Sequence, residues 1–177
     1  EGVVLRLERA VALGVRGGQA EQAIALLEEI IEFNPAHRAA LSYRALILER
    51  SVRWLEAAGA LEAWAAAETQ PWPLARALKR VAWITSEHLE EPERALQLYE
   101  AVLETDPSDP EALAFLERRY SDEENWAGLV PVLQSLVDVA PNREKKTTTL
   151  RRLAEIQEDD LADESGAFHT YGALLLE

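Results

Sequence analysis

The sequence predicts an all-α protein built as a stack of helical hairpins, and three observations point there. Ala, Leu and Glu are abundant in a chain of 177 residues that holds only eight glycines and eight prolines, and these side chains lose little freedom in a helix. Prolines recur at Pro35, Pro73, Pro107 and Pro141, spaced by 38, 34 and 34 residues, the period expected of a helical repeat. A shift of 72 residues superposes Leu41 on Leu113, Tyr43 on Phe115, Trp54 on Trp126, Leu61 on Leu133, Ala95 on Ala167 and Tyr99 on Tyr171. The repeats therefore alternate in two kinds.

Each repeat reads as two helices, because apolar residues recur three and four apart on both sides of a short polar turn. In the first, helices over 3–14 and 19–33 flank Gly17-Gly18, with Ala23, Leu27 and Ile30 ahead of Pro35. In the second, helices over 36–50 and 53–69 carry Ala57, Leu61 and Trp64 ahead of Gln70-Pro71-Trp72-Pro73. The additional residues of this longer spacing are assigned to the connection, with Trp72 covering it. The third repeat has helices over 73–88 and 92–105, the latter opened by Pro92 where a missing N–H costs nothing, with Ala95, Tyr99 and Val102 on its apolar side.

Helices over 109–120 and 122–140 make the fourth repeat, separated at Ser121-Asp122. Ser108 and Glu111 stand as a capping box, and Leu129, Leu133 and Leu136 form the apolar stripe. Pro131 removes a backbone hydrogen bond and predicts a kink or a late helix start. Helices over 143–160 and 163–177 complete the fifth. The chain thus reads as a single domain, 1–177, with repeats near 3–35, 36–73, 74–107, 108–141 and 142–177. In each second helix a small residue such as Ala23, Ala57 or Ala95 allows close helix approach, a bulky residue one turn later fills the groove, and the proline ends the hairpin.

These positions resemble the tetratricopeptide repeat, whose pattern sets a large residue, Leu, Gly and Tyr on the first helix, then Ala, Phe and Pro on the second. In the best-matched unit Leu113, Leu116 and Tyr120 occupy the first set, and Leu129, Leu133 and Pro141 the second. Glu117 stands at the usual Gly position and Leu129 at the usual Ala, a departure that should push those helices slightly apart. Ala45, Ala82 and Ala154 keep the former position small elsewhere. The resemblance covers the whole chain, about five units, and implies a right-handed α-α superhelix, or solenoid, whose first helices line a groove for peptides, helices or other protein surfaces.

Composition narrows the alternatives. A formal charge of −14 repels phosphate backbones, so no general nucleic-acid partner is expected, nor a helical-repeat RNA binder of the pentatricopeptide kind. The absence of cysteine excludes disulfides, a thiolate nucleophile and cysteine zinc sites. No apolar run approaches the roughly 18 residues of a membrane span, and no signal-peptide pattern opens the chain, so no membrane partner is expected and a soluble protein is read, the cytoplasm being the favoured compartment. With no methionine anywhere, the sequence reads as a piece of a longer chain.

Chemistry finds little footing. Asp159, Asp160 and Asp163 form the D-D-x-x-D spacing of Mg²⁺-dependent all-α diphosphate enzymes, but the 72-residue shift lays them on the inter-helix turn of the third repeat, so they read as a solvated acidic turn. His37, His88 and His169 fall in different repeats without an i,i+4 partner. No nucleophile elbow or Gly-rich phosphate loop is present. The expectation is no enzyme, no metal and no cofactor.

The tryptophans divide. Trp54, Trp126 and Trp64 are expected in packing, whereas Trp83 is not. Mapping the family's groove-lining positions onto the first helices gives Ser42 and Leu46, then Arg76, Lys79 and Trp83, then Arg118, then Arg151 and Glu155. A position that is Leu46, Trp83, Arg118 and Glu155 in successive repeats faces solvent or a ligand. The cations would form a basic stripe with Trp83 as apolar anchor, suited to an acidic-aromatic or acidic-amphipathic protein segment. A carboxylate clamp of the chaperone-binding kind is not expected, since Trp83 stands where that clamp needs Asn. The apolar end at Leu174, Leu175 and Leu176 calls for either a further repeat or self-association with a second copy.

Overall fold

A computed structural model describes residues 2–177, the side chains of Val15 and Arg16 excepted. Ten α-helices follow in order among the described residues, with no strand: α1 (Gly2–Val11), α2 (Ala20–Phe33), α3 (Arg38–Arg50), α4 (Trp54–Ala67), α5 (Pro71–Glu87), α6 (Pro92–Thr105), α7 (Pro110–Asp122), α8 (Trp126–Asp138), α9 (Arg143–Glu155) and α10 (Glu164–Leu176). Two of them widen at their ends into π-helical turns, Ala12–Arg16 after α1 and Ile156–Asp160 after α9. The all-α hairpin array is as the sequence predicts.

The 72-residue period is carried by the backbone itself. Gly18, Glu90 and Ala162 adopt positive φ of 65°, 56° and 52°. After each, an amide reaches a carbonyl six residues back: Gln19 to Leu13 at 3.0 Å, Glu91 to Thr85 at 3.2 Å, Asp163 to Gln157 at 2.6 Å. Val52 and Glu124, with φ of 60° and 53°, close the tighter turns of the other kind, where Arg53 N–H reaches Leu48 O at 3.0 Å and Asn125 N–H reaches Tyr120 O at 2.9 Å. Both turns satisfy carbonyls that a helix end leaves without donors.

Helix starts repeat in the same register. His37 and Asp109 cap α3 and α7, and Gln70 and Asn142 precede α5 and α9, so starts at 37, 70, 109 and 142 alternate between intervals of 33 and 39 residues. The additional residues lie in the longer first helices of the odd hairpins, not in the connection. α5 begins at Pro71, so Trp72 is its second residue and covers no connection, with 69% of its surface exposed. Two prolines, Pro71 and Pro73, fit within one first turn because the N–H groups there have no partner to lose.

The cap expected at Ser108 is corrected, and so is a helix start delayed to Pro131. The cap of α7 is Asp109, not Ser108: its carboxylate accepts from Glu111 N–H at 3.1 Å and Ala112 N–H at 2.9 Å, while Pro110 takes the first helical position. Ser108 instead donates its N–H and hydroxyl to Asp106. α8 begins at Trp126 on its Asn125 cap and runs through Pro131. Ala127 and Pro131 are both exposed, so the carbonyl four residues back that loses its donor stands on the solvent side.

The chain divides into two compact units, residues 1–105 and 106–177. In the first, α1 to α6 pack in chain order, and Leu27, Leu48, Val81 and Val102 are buried completely. Ion pairs join residues one repeat apart: Arg53 to Glu21 at 2.9 Å, Arg80 to Glu49 at 2.6 Å, and Arg94 to Glu62. In the second, α7 to α10 pack in order around Leu113, Leu129 and Leu133. There Arg152 donates to Glu117 and to Ser121 Oγ, both at 2.7 Å. Such exposed or half-exposed pairs contribute about 0–1 kcal/mol each and serve register more than stability.

Candidate functional site

Charge is sorted by position within the hairpins. The second helices are acidic: α2 carries Glu21, Glu28, Glu29 and Glu32 with no cation, and α4 carries Glu56 and Glu62 with none. First helices run the other way. α3 sets Arg38, Arg44 and Arg50 against Glu49, α5 sets Arg76, Lys79 and Arg80 against Glu87, and α9 sets Arg143, Lys145, Lys146, Arg151 and Arg152 against Glu144 and Glu155. Only α7 departs, with Glu111, Glu117 and Asp122 against Arg118 and Arg119. A chain of net charge −14 thus presents basic first helices.

α5 is the most elaborated of them. Its buried side holds Ala75, Ala77, Val81, Ala82, Ile84 and Thr85. The opposite side presents Trp72, Arg76, Lys79 and Trp83, at intervals of four, three and four residues that keep to one helix face. Arg76 lies over the Trp72 ring, its guanidinium carbon 5.8 Å from the centroid, and Arg80 lies over Trp83 at 4.1 Å. Arg80 is itself fixed by Glu49 of α3. Trp83 is half-buried and meets Trp54 edge-on at 6.0 Å, while His88, the residue that ends α5, stacks flat on Trp54 at 3.8 Å and meets Trp83 edge-on at 4.8 Å. Cation–π contacts of this kind contribute about 0.5–1 kcal/mol at exposed sites.

The remaining expected groove residues lie as follows. On α3, Ser42 is half-buried and donates to Ala39 O at 3.0 Å, and Leu46 is 40% exposed. Beside α3, a cleft of about 290 Å³ is lined by Leu7, Glu8, Val11, Ala12 and Tyr43. In the second unit Arg118 is exposed over the Phe115 ring at 5.9 Å, and Arg151 and Glu155 are exposed on α9. Arg76, Lys79 and Trp83 are thus brought together on α5, with Arg118 on α7 and Arg151 and Glu155 on α9 in the other unit. Trp72 and the α1–α3 cleft were missed. The signal for Trp72 was the four-three-four spacing to Trp83, hidden by starting the helix at 73.

Trp54 and Trp64 are half-buried against the core of the first unit, and Trp83, expected to stand outside the packing, lies half-buried against that same core; Trp126 is half-buried at the start of α8. The histidines do local work: His37 Nδ1 accepts from Ala40 N–H, and His169 Nδ1 lies 2.6 Å from Ser165 O. Asp163 caps α10 by accepting from Gly166 N–H at 2.9 Å, with Asp159 and Asp160 exposed in the preceding π-helical turn. Among the described residues no cluster of His, Cys, Asp and Glu has the arrangement of a metal site, and no helix is long and apolar enough to cross a membrane.

Protonation equilibria are shifted at structural contacts. The Thr69 N–H, followed by Arg38 and the Gln70 N–H, holds Glu68 below the usual carboxylate range, and the Arg53 guanidinium does the same for Glu56. Tyr171 is pushed up because its hydroxyl donates to Glu158 at 2.9 Å. Glu68 lies between α4 and α5, Glu56 in the first turn of α4, and Tyr171 in the middle of α10.

Neither a protein-family model nor a curated protein matches the sequence. Solved structures do. The chain is similar to MamA, residues 41 to the end, from Desulfovibrio magneticus RS-1, with 17% identity, a TM-score of 0.57, and 98% of this chain and 93% of that one covered. It is similar also to a tetratricopeptide repeat protein from Parabacteroides merdae ATCC 43184, with 18% identity, a TM-score of 0.61, and coverage of 96% and 72%. At such identity the likeness concerns the backbone alone, and with the ten helices and no strand among the described residues it shows the fold: the chain has the tetratricopeptide type of all-α repeat.

Proposed function

We propose that the chain is a non-enzymatic protein–protein interaction module that holds a peptide or protein segment along its first helices. The observation that carries this reading is the sorting of charge, basic on α3, α5 and α9 and acidic on α2 and α4. Part of this sorting serves pairing within the chain, as where Arg44 of α3 meets Glu28 of α2 at 2.9 Å, while the exposed Arg76 and Arg151 favour an acidic partner. Ser42, Leu46, Arg76, Lys79 and Trp83 in the first unit, and Arg118, Arg151 and Glu155 in the second, are the proposed contacts. The partner is read as protein rather than nucleic acid because a net charge of −14 opposes the long-range approach of a phosphate backbone.

The test is affinity capture with the native chain and an Arg76→Glu/Arg151→Glu variant as parallel baits. Both side chains are exposed, so folding is retained. A protein held by the native chain and lost from the variant supports the reading, and an unchanged captured set refutes it. A second contact is proposed at the end of the chain, where Leu174 is half-buried and Leu175 and Leu176 are 88% and 89% exposed. Self-association there predicts a concentration-dependent sedimentation coefficient that Leu175→Glu abolishes.

A further inference from the structure

The outward row of α10 breaks a pattern that α2 and α6 share. Shifts of 72 and 144 residues lay Gly172 on Glu100 and Glu28, and Leu176 on Glu104 and Glu32. All four glutamates are exposed, Glu28 and Glu32 with α3 packed against their own helix, so this row stays in water even when a following hairpin is in place. On α10 the row has lost its charge. Gly172 and Leu176 are exposed, and Phe168 and Leu175, at 77% and 88% exposure, widen the row into an apolar arc. The only ionised groups are Glu164 at the first position of the helix and Glu177 just past the last, where it accepts from Lys146. A glycine inside a helix is less favourable than alanine, and a Cβ at Gly172 would meet nothing within 4 Å. Packing within the chain therefore does not call for it. Phe168 and Leu176 stand four residues to either side, about 12 Å apart along the axis, so the row is apolar at both ends of a small centre.

Resting on the self-association reading above, we propose that α10 pairs with α10 of a second copy, antiparallel about a two-fold axis at Gly172. Charge selects this occupant. An isologous contact sets residues near the axis against their own copies, so any charge there would meet its like. The equivalent rows of α2 and α6 would oppose carboxylate to carboxylate; the row of α10 opposes nothing ionised. Glycine at the crossing lets the two backbones approach closely, and the antiparallel direction lays Phe168 of each copy beside Leu176 of the other. Salt separates this contact from one made by basic first helices on acidic second helices. Each copy carries a net charge of −14, so screening relieves mutual repulsion and tightens an apolar pairing, whereas it loosens a pairing held by opposite charges.

The chain has no cysteine, so single cysteines report the geometry directly. With a short bis-maleimide, Gly172→Cys should link to itself, because a residue on the axis meets its own copy. Phe168→Cys and Leu176→Cys should each link poorly alone and readily when mixed. Sedimentation equilibrium on the full chain should show a dimer that tightens as salt is raised. Gly172→Glu/Leu176→Glu restores the residues that α2 and α6 carry at these exposed positions, so far-UV circular dichroism should be unchanged while the dimer weakens by about tenfold or more, the scale of an interface anchor. A native chain that stays monomeric overturns this proposal and the self-association reading together. If Leu175→Glu abolishes a dimer in which Gly172→Cys fails to link, or in which Phe168→Cys links to itself as well as to Leu176→Cys, the two-fold pairing is wrong and self-association at this end survives. A dimer that loosens with salt, or one that Gly172→Glu/Leu176→Glu leaves intact, overturns the assignment to α10. A different protein captured by the native chain and lost from that double variant, with the native chain monomeric, makes the occupant another protein and likewise overturns it.

Discussion

Gly14 lies in the π-helical turn that ends α1, and a Cβ added there would fall inside the envelope of Ile47 Cδ1 and 2.9 Å from both Ile47 Cγ1 and Ala23 Cβ. Replacing it with Ala sets two effects against each other. In a helical turn, Ala over Gly stabilises by about 1 kcal/mol through the unfolded chain and the helix backbone. Overpacking of a closed site costs about 1–3 kcal/mol, and this site is closed, since Ile47 and Ala23 are 1% and 0% exposed on α3 and α2. Overpacking should win, leaving Gly14→Ala less stable by about 1 kcal/mol, or about 4–8 °C in the melting of a unit near 100 residues. Ile47→Val removes Cδ1 and alone costs about 1 kcal/mol. The double variant should therefore be more stable than the sum of the singles by about 1 kcal/mol, because the deleted methyl is the one in the way. Urea unfolding followed by circular dichroism measures all four proteins. A more stable Gly14→Ala, or strict additivity, would refute the claim that this glycine is required by the approach of three helices.

Val52 is a β-branched residue at φ 60° with 65% of its surface exposed, so Val52→Gly should raise stability by about 1 kcal/mol in thermal melting, the reverse of the usual effect of glycine. Asp109→Ala should lower it by about 1–2 kcal/mol, with Asp109→Asn recovering part, because two amide donors at the start of α7 lose their acceptor. Glu56 and Glu68 have folded-state affinities for protons below their unfolded ones. Their contribution is therefore present at neutral pH and is lost as pH falls below the unfolded carboxylate value, about 4. Melting temperature should drop across that window, and Glu68→Gln should flatten the drop.

The architecture was legible because apolar spacing reports which side of a helix is covered, and 72-residue superpositions such as Trp54 on Trp126 need no tertiary information. The turns were less so. Val52, Glu90, Glu124 and Ala162 adopt a left-handed conformation that only Gly18 advertises by residue type. At α7 two acceptors competed for the same amides, and the choice of Asp109 over Ser108 followed from which of them directly precedes Pro110. At α5 the paired prolines read as a connection although both fit one first turn, and that two-residue difference kept Trp72 off the face it shares with Trp83. The basic residues Arg76, Lys79, Arg118 and Arg151 could be named from the register of the repeats. The contacts that brace Trp83 could not, because Trp54 comes from another hairpin and His88 reaches it from the end of the same helix, outside any helical face.

The alternation of two turn geometries sets the grain at which this molecule can be lengthened or trimmed. A spliced-in single hairpin would set two turns of one kind side by side and would break the staples between Arg and Glu that span the point of insertion. Tandem gene duplication or designed extension should succeed in cassettes of four helices and fail in cassettes of two.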